Sequence, residues 1–382
     1  MIYLDHAATS FPKAPGVAEA MAEALAVAGG NPGRSGHRLS LAAQAVLEDA
    51  RRRVAALLGA PEPSRVVFGA NATDGLNQAL WGLLRPGDRV LASAMEHNAV
   101  ARPLAALAER GVRVERVPCG PDGTLDPDDL ARALRAVPTR LVALVHASNV
   151  CGTLLPAREA ARLAHDHGAL LLLDAAQTAG AVPIDVRAWG VDLLACPGHK
   201  ALLGPTGTGV LWVAPGVSLE PRRQGGTGIR SEDERPPTEL PEGLEAGTPN
   251  VVGLAGLAAA VRWLQERGVA AVREHERALT ARLLAALRDA PGVRVHGVAD
   301  AERQTAVVSV TLAGWDPQDA AAALESSFGV AVRAGLHCAP WAHRTLGTFP
   351  AGTVRLSAGI STTADEVDAA AAALRRLGAS PP

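Results

Sequence analysis

The chain has 382 residues, 48% of them apolar, and its 37 basic and 39 acidic side chains leave a formal net charge of −2 at pH 7. Such a length supports about two to three domains and a sizeable core. The near-neutral balance gives no electrostatic reason to expect a nucleic-acid or anionic-membrane partner. Aromatic residues make up only 3%, so the core must be built from Ala, Val and Leu.

The N-terminus lacks the basic start and apolar run of a secretory signal, and no stretch of eighteen apolar residues is free of a charge or a turn. A membrane span is not expected. The cysteines, at 119, 151, 196 and 338, form no CxxC pair, which argues against a structural zinc site, and their scatter does not read as a disulfide framework. Three buried or half-buried thiols, at most one chemically active, in a reducing cytoplasm is the expectation.

From residue 64 the sequence alternates short β-branched runs with Ala-rich helical stretches. Strands are expected at 65–69, 89–93, 112–117, 140–146, 169–174, 192–195 and 209–213, with helices at 99–110, 127–136 and 156–167. The run at 170–173 is apolar on both faces, as a strand of a helix-covered parallel sheet should be. Between 214 and 250 repeated Pro and Gly break any long element, and such excursions are functional, interfacial or plain solvated linkers. Two long helices follow, 251–267 and 269–290. Then come strands at 305–311, 330–333 and 353–357 with helices at 316–327 and 364–377. The alternation predicts an α/β fold: a large αβα sandwich with a mostly parallel central sheet, then a smaller α+β unit. The expected boundaries are 16–250 and 251–382, with residues 1–15 packing on the second unit.

Four segments carry candidate chemistry. After the strand at 65–69, the stretch Gly69-Ala-Asn-Ala-Thr-Asp-Gly75 combines small residues with a helix start, an anion site where Thr73 can add a hydroxyl; Thr73 or Asp74 is the expected cap. A capped helix without ligand reads equally well. At 174, a carboxylate ends an apolar strand and needs a partner. Asp174 can pair with a protonated ring nitrogen while Gln177 meets a phenolic oxygen, or it can cap a helix or pair with arginine. In Cys196-Pro-Gly-His-Lys200, a lysine in a Gly- and Pro-flanked turn can lose its proton and serve as a Schiff-base amine. The glycines after it match neither a P-loop nor a dinucleotide fingerprint, which disfavours nucleotide and NAD readings. Finally, Cys338 beside His337 sits in a loop after a strand, and Arg355 on a strand offers a fork for a carboxylate. A buried inert cysteine and an ordinary ion pair are the bland alternatives.

A phosphate cradle, a carboxylate for a ring nitrogen, a Schiff-base lysine, a thiol and a carboxylate-binding arginine together describe pyridoxal phosphate with a sulfur-bearing amino acid. The sequence resembles the cysteine desulfurases, in the class V branch of the fold-type I pyridoxal-phosphate enzymes. The motifs Tyr3-Leu-Asp-His-Ala-Ala-Thr9, Asn31-Pro-Gly-Arg-Ser-Gly-His37, Met95-Glu-His-Asn98, His146-Ala-Ser-Asn-Val-Cys-Gly-Thr153, Asp174-Ala-Ala-Gln177, Gly198-His-Lys200, Glu245-Ala-Gly-Thr-Pro-Asn250 and the Cys338 loop fall in family order. The resemblance implies that Lys200 joins the cofactor aldehyde, Asp174 holds the pyridinium nitrogen, Gln177 the ring hydroxyl, and His97 stacks on the ring. It assigns the phosphate to Ala72, Thr73 and His199, with Thr248 from a second subunit of a homodimer. Asn149 and Arg355 would hold L-cysteine, and Cys338 would accept its sulfur for an acceptor protein. No metal is implied.

Two departures stand out. Where many relatives carry a phosphate-binding serine two residues before the His-Lys pair, this chain has Pro197. The cysteine loop, Gly335-Leu-His-Cys-Ala339, is brief, like that of the group whose loop is short and ordered. Rival readings are a selenocysteine lyase, another C–S lyase, an aminotransferase or epimerase of the same branch, and a non-catalytic scaffold for sulfur transfer.

Overall fold

The computed structural model describes residues 1–33 and 35–380; Arg34, inside the 31–37 motif, lies outside the described residues. The chain opens with strand β1 (Ile2–Tyr3) and two helices, α1 (Val17–Val27) and α2 (Arg38–Leu57), which the sequence reading does not assign. In α2 the buried stripe runs through Ala43, Leu47, Ala50 and Val54, the three-to-four spacing of an amphipathic helix.

The alternating region then follows as expected, to within a residue or two at each end. It comprises β2 (Val66–Gly69), α3 (Ala72–Leu83), β3 (Arg89–Ser93), α4 (Asn98–Ala108), β4 (Arg113–Val117), α5 (Pro127–Ala136) and β5 (Leu141–Val145). It continues with α6 (Ala157–Asp166), β6 (Leu170–Asp174), the one-turn α7 (Val186–Trp189), β7 (Leu193–Pro197) and β8 (Gly209–Val213). These strands make one seven-stranded sheet in the order β2-β8-β7-β6-β5-β3-β4. The neighbours from β7 to β4 are all parallel, and only β8 runs against its neighbours β2 and β7. Six strands therefore end at one edge. Both faces are buried: β6 sends Leu171 and Leu173 into one core and Leu172 into the other, which is why its sequence shows no alternation.

Beyond a single 3₁₀ turn at Glu242–Leu244, residues 214–250 hold no regular element. Their end is fixed by charge. Arg51 of α2 donates two bonds of 2.8 Å to the carboxylate of Glu245, whose Oε1 also accepts from the main-chain N–H of Phe68. The guanidinium lies over the Phe68 ring, 4.7 Å from its centroid.

The remaining chain forms α8 (Val251–Arg267), α9 (Val269–Leu287), β9 (Val293–His296), β10 (Val307–Leu312), α10 (Pro317–Phe328), β11 (Val330–Ala331), β12 (Arg333–Gly335), α11 (Pro340–Thr345), β13 (Thr353–Ser357) and α12 (Ala364–Ala379). An antiparallel sheet, β12-β13-β10-β9, supports a third core. The single strand expected at 330–333 is two: β11 pairs with β1, and β12 turns away to pair with β13. Residues 2–3 thus pack on this second unit. Past the expected boundary at 250, α8 still buries Leu254, Leu257 and Val261 in the core of the large sheet. No helix among the described residues is long and apolar enough to cross a membrane.

The Arg51–Glu245 pair generates a stability prediction. Both side chains are largely buried, at 10% and 13% exposure. Removing one partner strands the other charge, so Glu245→Ala should lower the free energy of unfolding in urea by about 3–5 kcal/mol.

Candidate active site

The parallel sheet brings the expected residues together because each follows the carboxyl end of a strand. Ala72 and Thr73 come after β2, His97 after β3, Asn149 after β5, Asp174 is the last residue of β6, and His199 and Lys200 come after β7. In open α/β sheets that edge is where ligands bind. The second unit supplies Arg355, in the middle of β13, and Cys338, between β12 and α11.

At the start of α3 the cap differs from expectation. Asn71, not Thr73 or Asp74, holds the N-cap: its Oδ1 accepts from the N–H of Asp74 at 2.9 Å. Asp74 turns back instead and accepts from Ala70 N–H at 3.0 Å. Capping from Asn71 leaves Ala72 and Thr73 at the first two helical positions, where N–H groups have no intrahelical acceptor. Thr73 is exposed at a helix start that favours an anion.

Lys200 lies in the turn after β7 and burial pulls its amine down to about 8, with Asp174 opposing the fall. Asp174 itself is buried; burial raises its carboxyl, and Lys200 is the charge that pulls it back. Its Oδ1 accepts from Ala176 N–H at 2.9 Å. Gln177 donates through Nε2 to the carbonyl of Ala7 at 3.1 Å, which leaves its amide oxygen for another group. His97 caps α4, its Nδ1 accepting from Ala99 N–H at 3.0 Å, so the ring proton sits on Nε2. Burial first and then the Lys200 charge hold this imidazole down to about 4, hence neutral. His199 is likewise lowered to about 4 by burial, and its Nδ1 lies 3.1 Å from Thr9 Oγ1.

Arg355 is 1% exposed. Nη1 donates to the carbonyl of Asn149 at 3.0 Å and Nη2 to Asp5 Oδ1 at 2.7 Å, while Nε is buried without a partner. Asn149 donates through Nδ2 to the carbonyl of His337 at 2.7 Å, and its Oδ1 is also buried and unpaired. A buried polar atom without a partner is costly, so these two point to a polar ligand.

Cys338 is exposed. Its carbonyl accepts from Asn98 N–H at 2.8 Å, which places the cysteine against the residue following His97. The other three thiols match expectation: burial raises Cys119 and Cys196 to about 12 and raises Cys151 as well.

Three contributors escape the sequence reading. Arg333 stands with Nη2 4.0 Å from Cys338 Sγ, and its place in the same segment as Cys338 was the available signal. Lys13 donates to the carbonyl of His199 at 2.9 Å and so braces the lysine turn from nearly two hundred residues away. Glu96, wholly buried, accepts from Ser93 Oγ at 2.5 Å and Val145 N–H at 2.8 Å, tying β3 to β5 beneath His97. Thr248 takes no part within one chain. It is exposed, in a groove of about 180 Å³ shared with Gly69, Ala70, Gly207 and Arg223.

A doubly wound sheet with an activated lysine and a carboxylate on its carboxyl edge defines a fold-type I pyridoxal-phosphate enzyme. The sequence model of the aminotransferase class-V family matches residues 2–370, and the chain belongs to that family. It is 37% identical to a probable cysteine desulfurase of Methanothermobacter thermautotrophicus, across 96% of this chain and 92% of that one. It is 34% identical to a cysteine desulfurase of Escherichia coli, across 99% and 93%. The solved apo cysteine desulfurase of Thermococcus onnurineus superposes with a TM-score of 0.92 at 33% identity, covering 99% of this chain and 94% of that one. The E. coli cysteine desulfurase CsdA, in its S-sulfonic acid form, gives 0.87 at 32% over 98% and 94%.

The family depends on pyridoxal phosphate, and the residues fit that group. A free helix start suits a phosphate, a buried carboxylate at the strand end suits a ring cation, and the amine at 200 is poised near neutrality. Loading tests the last point. An amine lowered to about 8 is charged below that pH and nucleophilic above it, so the rate at which stripped protein takes up pyridoxal phosphate should climb through pH ~8 and level off. An unperturbed lysine would keep climbing to above 10. Alkylation followed by mass spectrometry should label Cys338 in the native protein and Cys119, Cys151 and Cys196 only after unfolding.

Proposed function

We propose that this enzyme desulfurates L-cysteine to L-alanine, with Cys338 receiving the sulfur as a persulfide. The observation that carries the proposal is an exposed thiol, 4.0 Å from the Arg333 guanidinium, joined through its own carbonyl to the start of α4 beside His97. An aminotransferase of the same family has no use for a thiol at that point, and a scaffold has no use for a depressed lysine.

The roles follow from the groups present. Pyridoxal phosphate, when bound, supplies an aldehyde for the amino group and a ring that accepts electrons from the substrate Cα. Ala72, Thr73 and His199 would hold its phosphate, Asp174 its ring nitrogen and Gln177 its ring oxygen, and His97 would stack on the ring. Pro197 offers no hydroxyl here, and the two N–H groups at the start of α3 take up that part of the binding. Lys200 would take the Cα proton at Nζ. Arg355 orients the substrate carboxylate through the guanidinium edge carrying the unpaired Nε, and Asn149 Oδ1 accepts a bond from the bound pair.

Sulfur transfer balances without an external oxidant. The substrate C–S bond breaks, an S–S bond forms at Cys338 Sγ, one of the two thiol protons stays on the persulfide, and the other ends on the alanine methyl. Arg333 stabilises the attacking thiolate by its charge. An acceptor protein or a small thiol then removes the persulfide sulfur.

The exposed Thr248, together with the apolar Leu25, Val27, Leu39 and Leu41 left in solvent on α1 and α2, supports a homodimer in which Thr248 completes the partner's phosphate site. Within each chain we read two units, with the N-terminal strand on the second and the joint at Gly268, since α8 shares the first core. Four unpaired thiols suit the reducing cytoplasm.

Cys338→Ala should keep the cofactor absorbance and lose sulfide and alanine release from L-cysteine; continued release would refute the acceptor role. Borohydride reduction should fix the cofactor on residue 200, and Lys200→Ala should abolish both label and turnover. Because the cysteine loop is short and braced, turnover should rise on adding a dithiol, and full speed without one would contradict the need for an acceptor.

A further inference from the structure

The loop that carries Cys338 bends into a region that side chains avoid. His337 and Cys338 have φ of 46° and 56°, where any side chain with a Cβ is strained. Two in succession persist only where the surroundings fix them. Main-chain bonds do part of this: Asn149 holds the carbonyl of His337, Asn98 that of Cys338, and Ala339 N–H reaches the carbonyl of Leu336 at 2.8 Å. The buried ring of His337 is the remaining anchor.

Its proton can be located by counting donors. Ser309 Oγ lies 2.6 Å from the carbonyl oxygen of Val150, which only accepts, so the serine proton is committed there. Thr353 Oγ1, 3.0 Å from Ser309 Oγ, must then donate to it. Thr353 has only lone pairs left for His337 Nε2 at 3.2 Å, so Nε2 carries the ring proton and Nδ1 is bare. That Nδ1 is buried without a partner.

At His343 the count gives the opposite answer. Its carbonyl accepts from the N–H groups of Thr348 at 2.9 Å and Phe349 at 3.2 Å, which occupies both lone pairs. The Thr348 hydroxyl comes within 3.4 Å of that carbonyl but within 2.7 Å of His343 Nδ1, and donates to the nearer atom. The ring proton therefore falls on Nε2, buried and also without a partner. The two ring centroids are 5.6 Å apart at a 40° tilt. One imidazole presents a bare acceptor and the other a free donor, and among the described residues these are the only buried imidazole nitrogens left unpaired. Burial keeps both rings neutral, His337 down to about 2 and His343 to about 4.

We propose that His337, Thr353 and Ser309 form a proton-ordered chain that holds the Cys338 loop in its left-handed turn and thereby positions the thiol for sulfur transfer. The proposal rests on the reading of Cys338 as sulfur acceptor. None of the three touches substrate; they are positioning residues. The chain runs from β13 and β10 to Val150 beyond β5, so it ties the cysteine loop to the edge of the large sheet where Asn149 stands.

Thr353→Val tests this, since it keeps the shape of the side chain and removes both the acceptor for Nε2 and the donor to Ser309; Thr353→Ser keeps the hydroxyl. Thr353→Val should retain the cofactor absorbance and the KM for L-cysteine, lose about 10- to 100-fold in kcat, and change the rate of Cys338 alkylation severalfold in protein without substrate. Thr353→Ser should restore both readouts, and His337→Gln, which keeps a donor at the same reach, should lose less kcat than His337→Ala. Wild-type kcat and alkylation in Thr353→Val would overturn the proposal. So would a raised KM at unchanged kcat, or equal loss or unfolding in Thr353→Val and Thr353→Ser alike. Cys338→Ala separates the two claims: sulfide release from that variant would sink the acceptor reading, whereas the alkylation rates report on the loop in either case.

Discussion

Everything at this site depends on the cost of keeping an amine and a carboxylate out of water at one edge of a parallel sheet. Removing either charge from solvent costs several kcal/mol even after relaxation. Lys200 and Asp174 respond as electrostatics requires, the amine falling to about 8 and the carboxyl rising, each restrained by the other. Neither has a side-chain partner within hydrogen-bond reach that would settle it. A site held in this condition is ready for a ligand that brings a ring cation to one and an aldehyde to the other. The six strands ending at a common edge are what make the condition possible, because they deliver polar side chains to the rim of a core that is apolar on both faces.

The substrate side is built differently, as a joint between units. Arg355 reaches from the antiparallel sheet to the carbonyl of Asn149 on the parallel one, and Asp5, brought in by the N-terminal strand, shares its charge. A buried guanidinium with two of its three nitrogens bonded is fixed in direction, and the third is left without a partner. The same joint carries Asn149 to His337, so the arginine and the cysteine loop are braced by one residue.

The sequence made the parallel part of this legible and the rest much less so. Asp174 and Lys200 are conspicuous because polar residues interrupt strongly apolar strands, and strand and motif order then carry the fold class. α1 and α2 are harder to assign because four of their nine buried residues are alanine, whose contrast with polar neighbours is weak. The cap of α3 was misplaced because Asn71, Thr73 and Asp74 are all good caps, and backbone geometry alone selects Asn71. Arg51 and Glu245 lie 194 residues apart, and nothing local announces such a pair. The split of 330–333 follows from pairing with β1, a partner three hundred residues away in the chain.

The four cysteines end with different fates, and the backbone sets the one at 338 apart. Cys151 and Cys196 are buried among apolar residues and Cys119 is half-buried, so their thiols are held up and inert. Cys338 is kept in solvent by a turn that its own side chain disfavours, and a guanidinium is set beside it. Relaxing the turn would be favourable locally, yet it would release the carbonyls held by Asn149 and Asn98 and leave buried donors unmatched. The strain therefore persists because the polar groups around it have no better arrangement, and an exposed sulfur is maintained there by the stability of its neighbours rather than by its own.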